Sequence, residues 1–350
     1  MDIRRVLTLA VAVATLAGAA PVVVAQKVDK QTRKEQERRS QQEQKDLQAL
    51  VQMVDAVTAG KQPAPTAIGL RWEGSHFLKS TDKATYIPFT VVIDPATLAA
   101  PGTALYVRVI NKTAPGAAEQ GNRGKDQKPG SAVYPWDEVY FIDVPADGKV
   151  SRAIAVKPGE YEMFVAVKEK TPRESQKNQP PAKAGLLRRD VTVPDFDGPD
   201  LSISSVFIGG VERLAAPLSA EQQKENPYTF GNMRVAPSAD FKLKKSGELN
   251  VLFWIYGAQQ TGGKPDVQID FNFHQKTADG EKYFNKTSPQ LMNASTLPPQ
   301  FDLTAGHQLP GSLMVPLASF PVAEYRLEVK LTDKISGKTL TYNASFTVEA

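Results

Sequence analysis

The chain has 350 residues, with 42 lysines and arginines against 38 aspartates and glutamates, and it contains no cysteine. This near balance of charge is unlike a dedicated nucleic-acid binder, which carries a clustered basic excess. The lack of cysteine excludes disulfides, a lipid-anchored cysteine, thiolate catalysis and cysteine-ligated zinc. Any domain must therefore be stabilised by apolar burial, for which about 130 to 150 residues are enough.

The first 25 residues have the three parts of a secretory signal peptide. Arg4 and Arg5 precede an apolar run, and small residues follow it up to Ala25. This pattern predicts export and cleavage after Ala25. An uncleaved membrane anchor is the alternative, because residues 6–25 are about long enough to span a bilayer. Cleavage lowers the formal net charge from +4 to +3 and predicts a soluble periplasmic or extracellular protein without an integral membrane segment.

Residues 26–60 are rich in charged and amide side chains that favour a helix, and Gly60 stands where a C-cap glycine is expected. The first half of this segment is polar on every face. The second half carries one apolar stripe at helical spacing, formed by Leu47, Leu50, Val51, Val54 and Val57. The stripe either packs on the chain's own first domain or binds a partner, which would be an envelope protein or a second copy. It is too short to predict a coiled coil.

Alternating apolar and polar residues after the stiff linker 61–66 predict a β-sandwich over 67–194. A rigid linker at 195–200 separates it from a second sandwich at 201–350. The strands predicted in the first sandwich lie at 86–93, 104–110, 138–144, 150–156, 161–167 and 186–193. Those predicted in the second lie at 201–208, 249–256, 267–274, 312–317, 325–332 and 340–348.

An internal repeat supports the division into two sandwiches. The segments beginning at Glu160 and Glu324 both continue with a tyrosine and then place apolar residues at every second position. Each segment precedes a closing strand. This pattern resembles the last two strands of immunoglobulin-like or fibronectin-like sandwiches, and Tyr161 and Tyr325 resemble the tyrosine-corner residue, which bonds back to the backbone. The predicted fold class is therefore mainly β, with two tandem antiparallel sandwiches behind a signal peptide and a charged helix.

The whole chain resembles exported bacterial proteins of unknown function. The residues from Ala323 to Thr339 are similar to sandwich domains found beside GWxTD-type modules. The GWxTD motif itself is absent here. The resemblance therefore implies a fold and a compartment, and no functional residue is carried over from it.

Residues that could carry chemistry are sparse. His76, His274 and His307 lie in separate segments without the spacing of zinc ligands, and no nucleophile-elbow or phosphate-binding glycine motif occurs. The acidic segment Asp195–Asp200 could bind calcium, but an acidic linker is the simpler interpretation. We therefore predict no catalytic residue, no cofactor and no metal, with a hydrolase as the least favoured alternative.

Two tryptophans keep a carbohydrate-binding alternative open, because a flat aromatic ring can stack on a sugar face. Trp72 and Trp136 are flanked by polar residues, which is compatible with exposure, whereas Trp254 lies in an apolar run typical of a core. These two side chains are the candidate sugar-stacking residues of a cell-wall-binding or glycan-binding module.

Two long polar loops in the first sandwich, at 111–132 and 169–185, are the remaining candidates for recognition. Together with the striped helix they predict a non-enzymatic, exported binding or scaffolding protein of the cell envelope. Its contacts would be with another protein or with its own copy.

Overall fold

The computed structural model describes residues 22–113, 134–171 and 181–350, with side chains from residue 37 onward. The two helices are α1 (Val22–Thr58) and α2 (Ala220–Glu225). Within these ranges, no helix has both the length and the apolar character needed to cross a membrane. Residues 1–21 of the predicted signal peptide lie outside the described residues, and the predicted cut after Ala25 falls in the first turn of α1.

The first sandwich consists of two four-stranded sheets. One has the order β5-β4-β7-β8, and in the other β3 pairs with β1, β2 and β6. Their facing sides form a core of apolar side chains contributed by both sheets. The strands are β1 (Leu70–Ser75), β2 (Leu78–Lys79), β3 (Thr85–Ile93), β4 (Gly102–Asn111), β5 (Trp136–Asp143), β6 (Lys149–Val156), β7 (Gly159–Glu169) and β8 (Ala184–Val193).

The second sandwich has two six-stranded sheets and a small hairpin. The first sheet has the order β11-β12-β10-β14-β20 with β9 on β14, and the second has the order β13-β22-β21-β17-β18 with β19 on β17. The strands are β9 (Ser202–Ile203), β10 (Phe207–Arg213), β11 (Thr229–Phe230), β12 (Met233–Pro237), β13 (Lys242–Lys244), β14 (Glu248–Tyr256), β15 (Gln260–Thr261), β16 (Lys264–Pro265), β17 (Val267–Thr277), β18 (Gly280–Lys286), β19 (Gln290–Met292), β20 (Leu309–Pro316), β21 (Ala323–Asp333) and β22 (Thr339–Glu349).

The mainly β fold class is confirmed, and one predicted strand is wrong in detail. The strand expected at 201–208 is interrupted between β9 and β10. The break has a physical reason: Ser204 exchanges hydrogen bonds with the backbone of Trp254, while Ser205 turns toward the first sandwich and bonds Phe77. The alternation of apolar residues cannot reveal that the two serines bond different sandwiches, because both serines are polar.

Strands β4 and β14 are buried on both faces, although a sandwich strand usually exposes one. In β14, Phe253 faces the core of the second sandwich, whereas Trp254 belongs to a separate aromatic cluster on the opposite side. In β4, Leu105 faces the core of the first sandwich and Tyr106 packs against α1. A nearly continuous apolar run is the sequence signal of a strand covered on both faces.

The apolar stripe of α1 packs against the outer face of the β5-β4-β7-β8 sheet. Leu50 and Val54 are fully buried there, and the remaining stripe residues Leu47, Val51 and Val57 are partly buried in the same cluster. Small side chains in the sheet, Ala104 and Ala166, leave room for the helix. The stripe therefore has an intramolecular partner, which is the first of the two alternatives that the sequence left open.

Two ion pairs flank the stripe and fix the position of α1 on the sheet. Asp46, which is buried, accepts hydrogen bonds from Lys168 Nζ at 2.6 Å and Thr171 Oγ1 at 2.7 Å. Nine residues later, Asp55 accepts a hydrogen bond from the buried Arg108. The two aspartates lie two and a half helical turns apart, so both ion pairs can form together only when α1 lies at this one position on the sheet.

The two tyrosine corners predicted from the repeat are confirmed. The Tyr161 hydroxyl donates to the carbonyl of Lys157 at 2.9 Å, and the Tyr325 hydroxyl donates to that of Pro321 at 2.8 Å. Each tyrosine stands near the start of the penultimate strand of its sandwich, β7 or β21. Both bonds span four residues and tie the turn to the strand that follows.

Replacing Tyr325 with phenylalanine is expected to lower the free energy of unfolding by about 1 to 2 kcal/mol, because it removes a buried hydrogen bond and strands the Pro321 carbonyl. Urea unfolding followed by tryptophan fluorescence measures this change. Tyr283→Phe is the matched control, since Tyr283 is 58% exposed and should leave stability unchanged. Equal effects of the two variants would contradict a stabilising role for the corner.

Candidate functional site

The two sandwiches meet along a seam lined by aromatic side chains. Phe207, Trp254 and Tyr256 leave the outer face of the β14 sheet, and Leu78 and Tyr86 approach from the first sandwich. Phe207 and Trp254 have ring centroids 6.1 Å apart in an edge-to-face arrangement. Aromatic contacts of this kind contribute energy beyond the burial of their area, so they stabilise the interface between the two sandwiches.

Hydrogen bonds from both backbone and side-chain groups cross the seam and fix the sandwiches relative to each other. Ser205 N–H donates to the Phe77 carbonyl at 2.8 Å, and the Phe77 N–H donates to Ser205 Oγ at 2.8 Å. The Tyr86 hydroxyl donates to the Pro227 carbonyl at 2.9 Å. Burial raises the pKa of Tyr86 to about 12, so this hydroxyl keeps its proton and its bond at neutral pH.

His76 lies inside the seam. Its ring stacks on Phe207 with centroids 4.4 Å apart, and its Nδ1 is 3.4 Å from the Tyr228 hydroxyl. Among the described residues, no carboxylate forms an ion pair with it. Burial lowers the pKa of His76 from 6.5 to about 4, so the imidazole is neutral at physiological pH and joins the two sandwiches as an aromatic ring.

A polar cleft of about 440 Å³ opens at one end of the seam. Lys79 approaches it from the first sandwich, and His307 and Gln308 approach it from the second. Lys79 is already engaged, because its ammonium group lies 2.7 Å from Asp197. His307 Nδ1 accepts a hydrogen bond from the Asp302 N–H at 3.0 Å. Two of the polar groups that line the cleft are therefore already bonded within the chain.

A second cavity, of about 180 Å³, lies beside the seam and contains one of the predicted sugar-stacking residues. Trp136 lines it together with aromatic and polar side chains from both sandwiches. The structure places the other candidate, Trp72, elsewhere. Phe89 stacks on its ring at 5.3 Å, and the Arg189 guanidinium lies 5.0 Å from the ring centre. Trp72 therefore already has two ring contacts within the first sandwich, and its role as a sugar-stacking residue stays a prediction.

The other candidates for chemistry are not brought together. His76 is in the seam, His274 lies on the outer face of β17, and His307 belongs to the loop before β20. Among the residues that the structure describes, no group of three or more histidines, aspartates or glutamates is placed to hold a metal. Two carboxylates of the acidic linker form ion pairs with lysines: Asp197 pairs with Lys79, and Asp200 lies 2.7 Å from Lys338.

Sequence reasoning missed most of the residues around Trp136. Tyr86 and Tyr140 were assigned to strands without a role, and Gln223 and Lys224 lie in a short helix between β10 and β11. That helix is α2, which begins with a capping box: Ser219 Oγ accepts a hydrogen bond from the Gln222 N–H, and Gln222 Oε1 accepts one from the Ser219 N–H. The Ser-x-x-Gln spacing was the available signal for this helix.

Comparisons with known proteins leave the family open. No family model matches the chain, and no curated protein matches it. The resemblance to sandwich domains beside GWxTD-type modules therefore remains a prediction.

Several solved structures show a low overall similarity. An alpha-2-macroglobulin from Escherichia coli, activated by porcine elastase, is 11% identical with a TM-score of 0.23, and the match covers 81% of this chain and 23% of that one. An immunoglobulin-like protein from Pseudomonas aeruginosa is 14% identical with a TM-score of 0.20, over 41% of this chain and 97% of that one. The chain spans about a quarter of the macroglobulin's length. At these TM-scores the likenesses carry no argument about function.

Proposed function

We propose that this chain is an exported, non-enzymatic binding or scaffolding protein of the cell envelope that makes its contact through the N-terminal part of α1. The supporting observation is a contrast along one continuous helix. Side chains 37–41 are all exposed, whereas Asp46 and the stripe behind it are buried against the first sandwich. The docked half holds the helix, and the exposed residues 37–41 before it are the part of the proposed contact that the structure describes.

The length of this segment suits the proposed role. From Gln26, the predicted mature N-terminus, to Lys45 the helix rises about 30 Å. Its continuity with the docked turns gives the segment a fixed direction, so a partner would be held at a defined distance from the sandwiches. The two polar loops predicted as further contacts are largely formed by residues 114–133 and 172–180, which lie outside the described residues.

Deletion of residues 26–40 tests the proposal, because it removes the charged segment and keeps Asp46 and the whole stripe. We expect an unchanged melting temperature together with loss of the contact. A photo-crosslinking amino acid at Ser40, introduced in the cells that make the protein, should give a discrete crosslinked product, and the same group at the exposed Lys282 should not. Sedimentation velocity of the intact and shortened chains separates self-association from a foreign partner.

The result that would overturn the proposal is equally specific. If the shortened chain keeps its sedimentation coefficient, apart from the change in mass, and Ser40 gives no more crosslinked product than Lys282, the charged segment makes no contact. Deleting residues 26–60 would be a poorer test, because it would also expose the sheet face beneath the stripe.

A further inference from the structure

The cavity beside the seam is built from residues of both sandwiches. β3, β5 and β6 supply one wall, and α2 of the second sandwich supplies the other. The side chains that line it are Tyr86, Trp136, Glu138, Tyr140, Ala153, Gln223 and Lys224. Three of these are aromatic, and three carry a carboxylate, an amide or an ammonium group. The fixed seam holds both walls in place, so the cavity exists before any ligand arrives.

Polar groups at the cavity have unused hydrogen-bonding capacity. The Trp136 indole N–H is buried and makes no hydrogen bond of ordinary geometry with any described residue, although the Tyr140 hydroxyl is near. The Tyr140 hydroxyl donates to Glu138 Oε2 at 2.7 Å, which leaves its oxygen lone pairs and the other carboxylate oxygen as acceptors. Lys224 is exposed and forms no ion pair within the described part of the chain.

The aromatic and polar side chains that line the cavity together favour one class of ligand over others. A wholly apolar ligand would cover the second carboxylate oxygen of Glu138 without giving it a hydrogen-bond donor, which costs free energy. A phosphate or other multivalent anion would be opposed by Glu138, and Lys224 is the one cation among the side chains that line the cavity. A ring with apolar faces and hydroxyl groups on its edge fits both the aromatic walls and the mixed donors and acceptors.

We propose that this cavity binds a single uncharged sugar ring, with Trp136 providing the stacking surface and Glu138 and Lys224 hydrogen-bonding the ring hydroxyls. The volume suits one ring, so a longer glycan would enter by one residue and extend outward past α2. The site lies in the sandwiches and is independent of the contact proposed for α1, which means that each proposal can fail without the other.

Glucose, galactose and N-acetylglucosamine, each as the free sugar and as a β-linked tetramer, are the probes. Saturation-transfer NMR with the mature chain should detect at least one of them, and the tetramers show whether the source is a free sugar or the end of a polymer. Lys224→Ala should weaken binding about tenfold, as expected for loss of a hydrogen bond to a charged group. Trp136→Ala should abolish detectable binding.

Matched variants separate binding from folding. Trp72→Phe changes the other partly buried tryptophan of the first sandwich, and Lys282→Ala removes an exposed lysine of the second; both should bind as the wild type does. Lys224 stands on the surface of α2, so its variant should keep the wild-type melting temperature even if Trp136→Ala does not. The proposal is overturned if none of the six probes binds, or if Lys224→Ala binds with unchanged affinity.

Discussion

Replacing Lys168 with methionine is expected to lower the free energy of unfolding by about 3 to 5 kcal/mol, the usual cost of leaving one charge of a buried pair uncompensated. Lys168 Nζ lies 2.6 Å from Asp46, and Asp46 is 2% exposed. The variant keeps the aliphatic length of the side chain and removes its charge. Asp46 would then retain Thr171 as a donor and lose its cation. Chemical denaturation in urea measures the difference.

A second variant distinguishes loss of the pair from loss of packing. In the double variant Asp46→Leu, Lys168→Met, no buried charge remains, so most of the stability should return, to within about 1 to 2 kcal/mol of the wild type. Lys282→Met is the surface control, because Lys282 and Asp279 are 3.9 Å apart and largely exposed; its effect should stay below about 0.5 kcal/mol. If the single and double variants are equally unstable, the ion pair does not hold α1.

Acidification is expected to weaken the seam through His76. The pKa of His76 is about 4 in the folded chain and 6.5 in its ordinary state. Between these values the unfolded chain binds the proton and the folded chain does not, so stability is complete above pH 6.5 and falls as the pH approaches 4. The difference of about 2.5 pKa units corresponds to a loss of about 3 kcal/mol. Stability measured in urea from pH 7.5 to 4 follows this loss.

The matched variant His76→Phe keeps a flat ring against Phe207 and removes the titration. Subtracting its pH profile from that of the wild type cancels the contribution of the carboxylates, which also titrate in this range. The remaining difference should appear below pH 6.5 and grow to about 3 kcal/mol at pH 4. Parallel profiles for the two proteins would show that the imidazole is hydrated, and that the seam does not enclose it.

The sequence predicted the elements that depend on local patterns. Strands β3 and β6 were found because apolar side chains alternate, and both tyrosine corners were found because Tyr161 and Tyr325 occupy equivalent places in a repeat. In each case the deciding interactions lie within a few residues or in the adjacent strand.

Short edge strands were missed for the same reason. β2 and β11 have two residues each, too few to establish a period of two. Their backbone pairs with a strand that is already in place, so their existence depends on the neighbour more than on their own side chains. β18 was missed because most of its side chains are exposed and its alternation carries little apolar signal.

What the sequence determined by itself was which faces must be covered. The stripe with Leu50 and Val54, and the unbroken apolar run of β14 around Trp254, each require a partner surface because exposed apolar area is unfavourable in water. Which surface covers them was decided only by the tertiary structure. The stripe packs on a sheet in which the small side chains of Ala104 and Ala166 leave room for the helix. Trp254 packs in the aromatic cluster between the two sandwiches. The cavity at Trp136 was decided in the same way. Its second wall is α2, which lies far along the chain, and the hydrophobic effect does not specify which two surfaces meet.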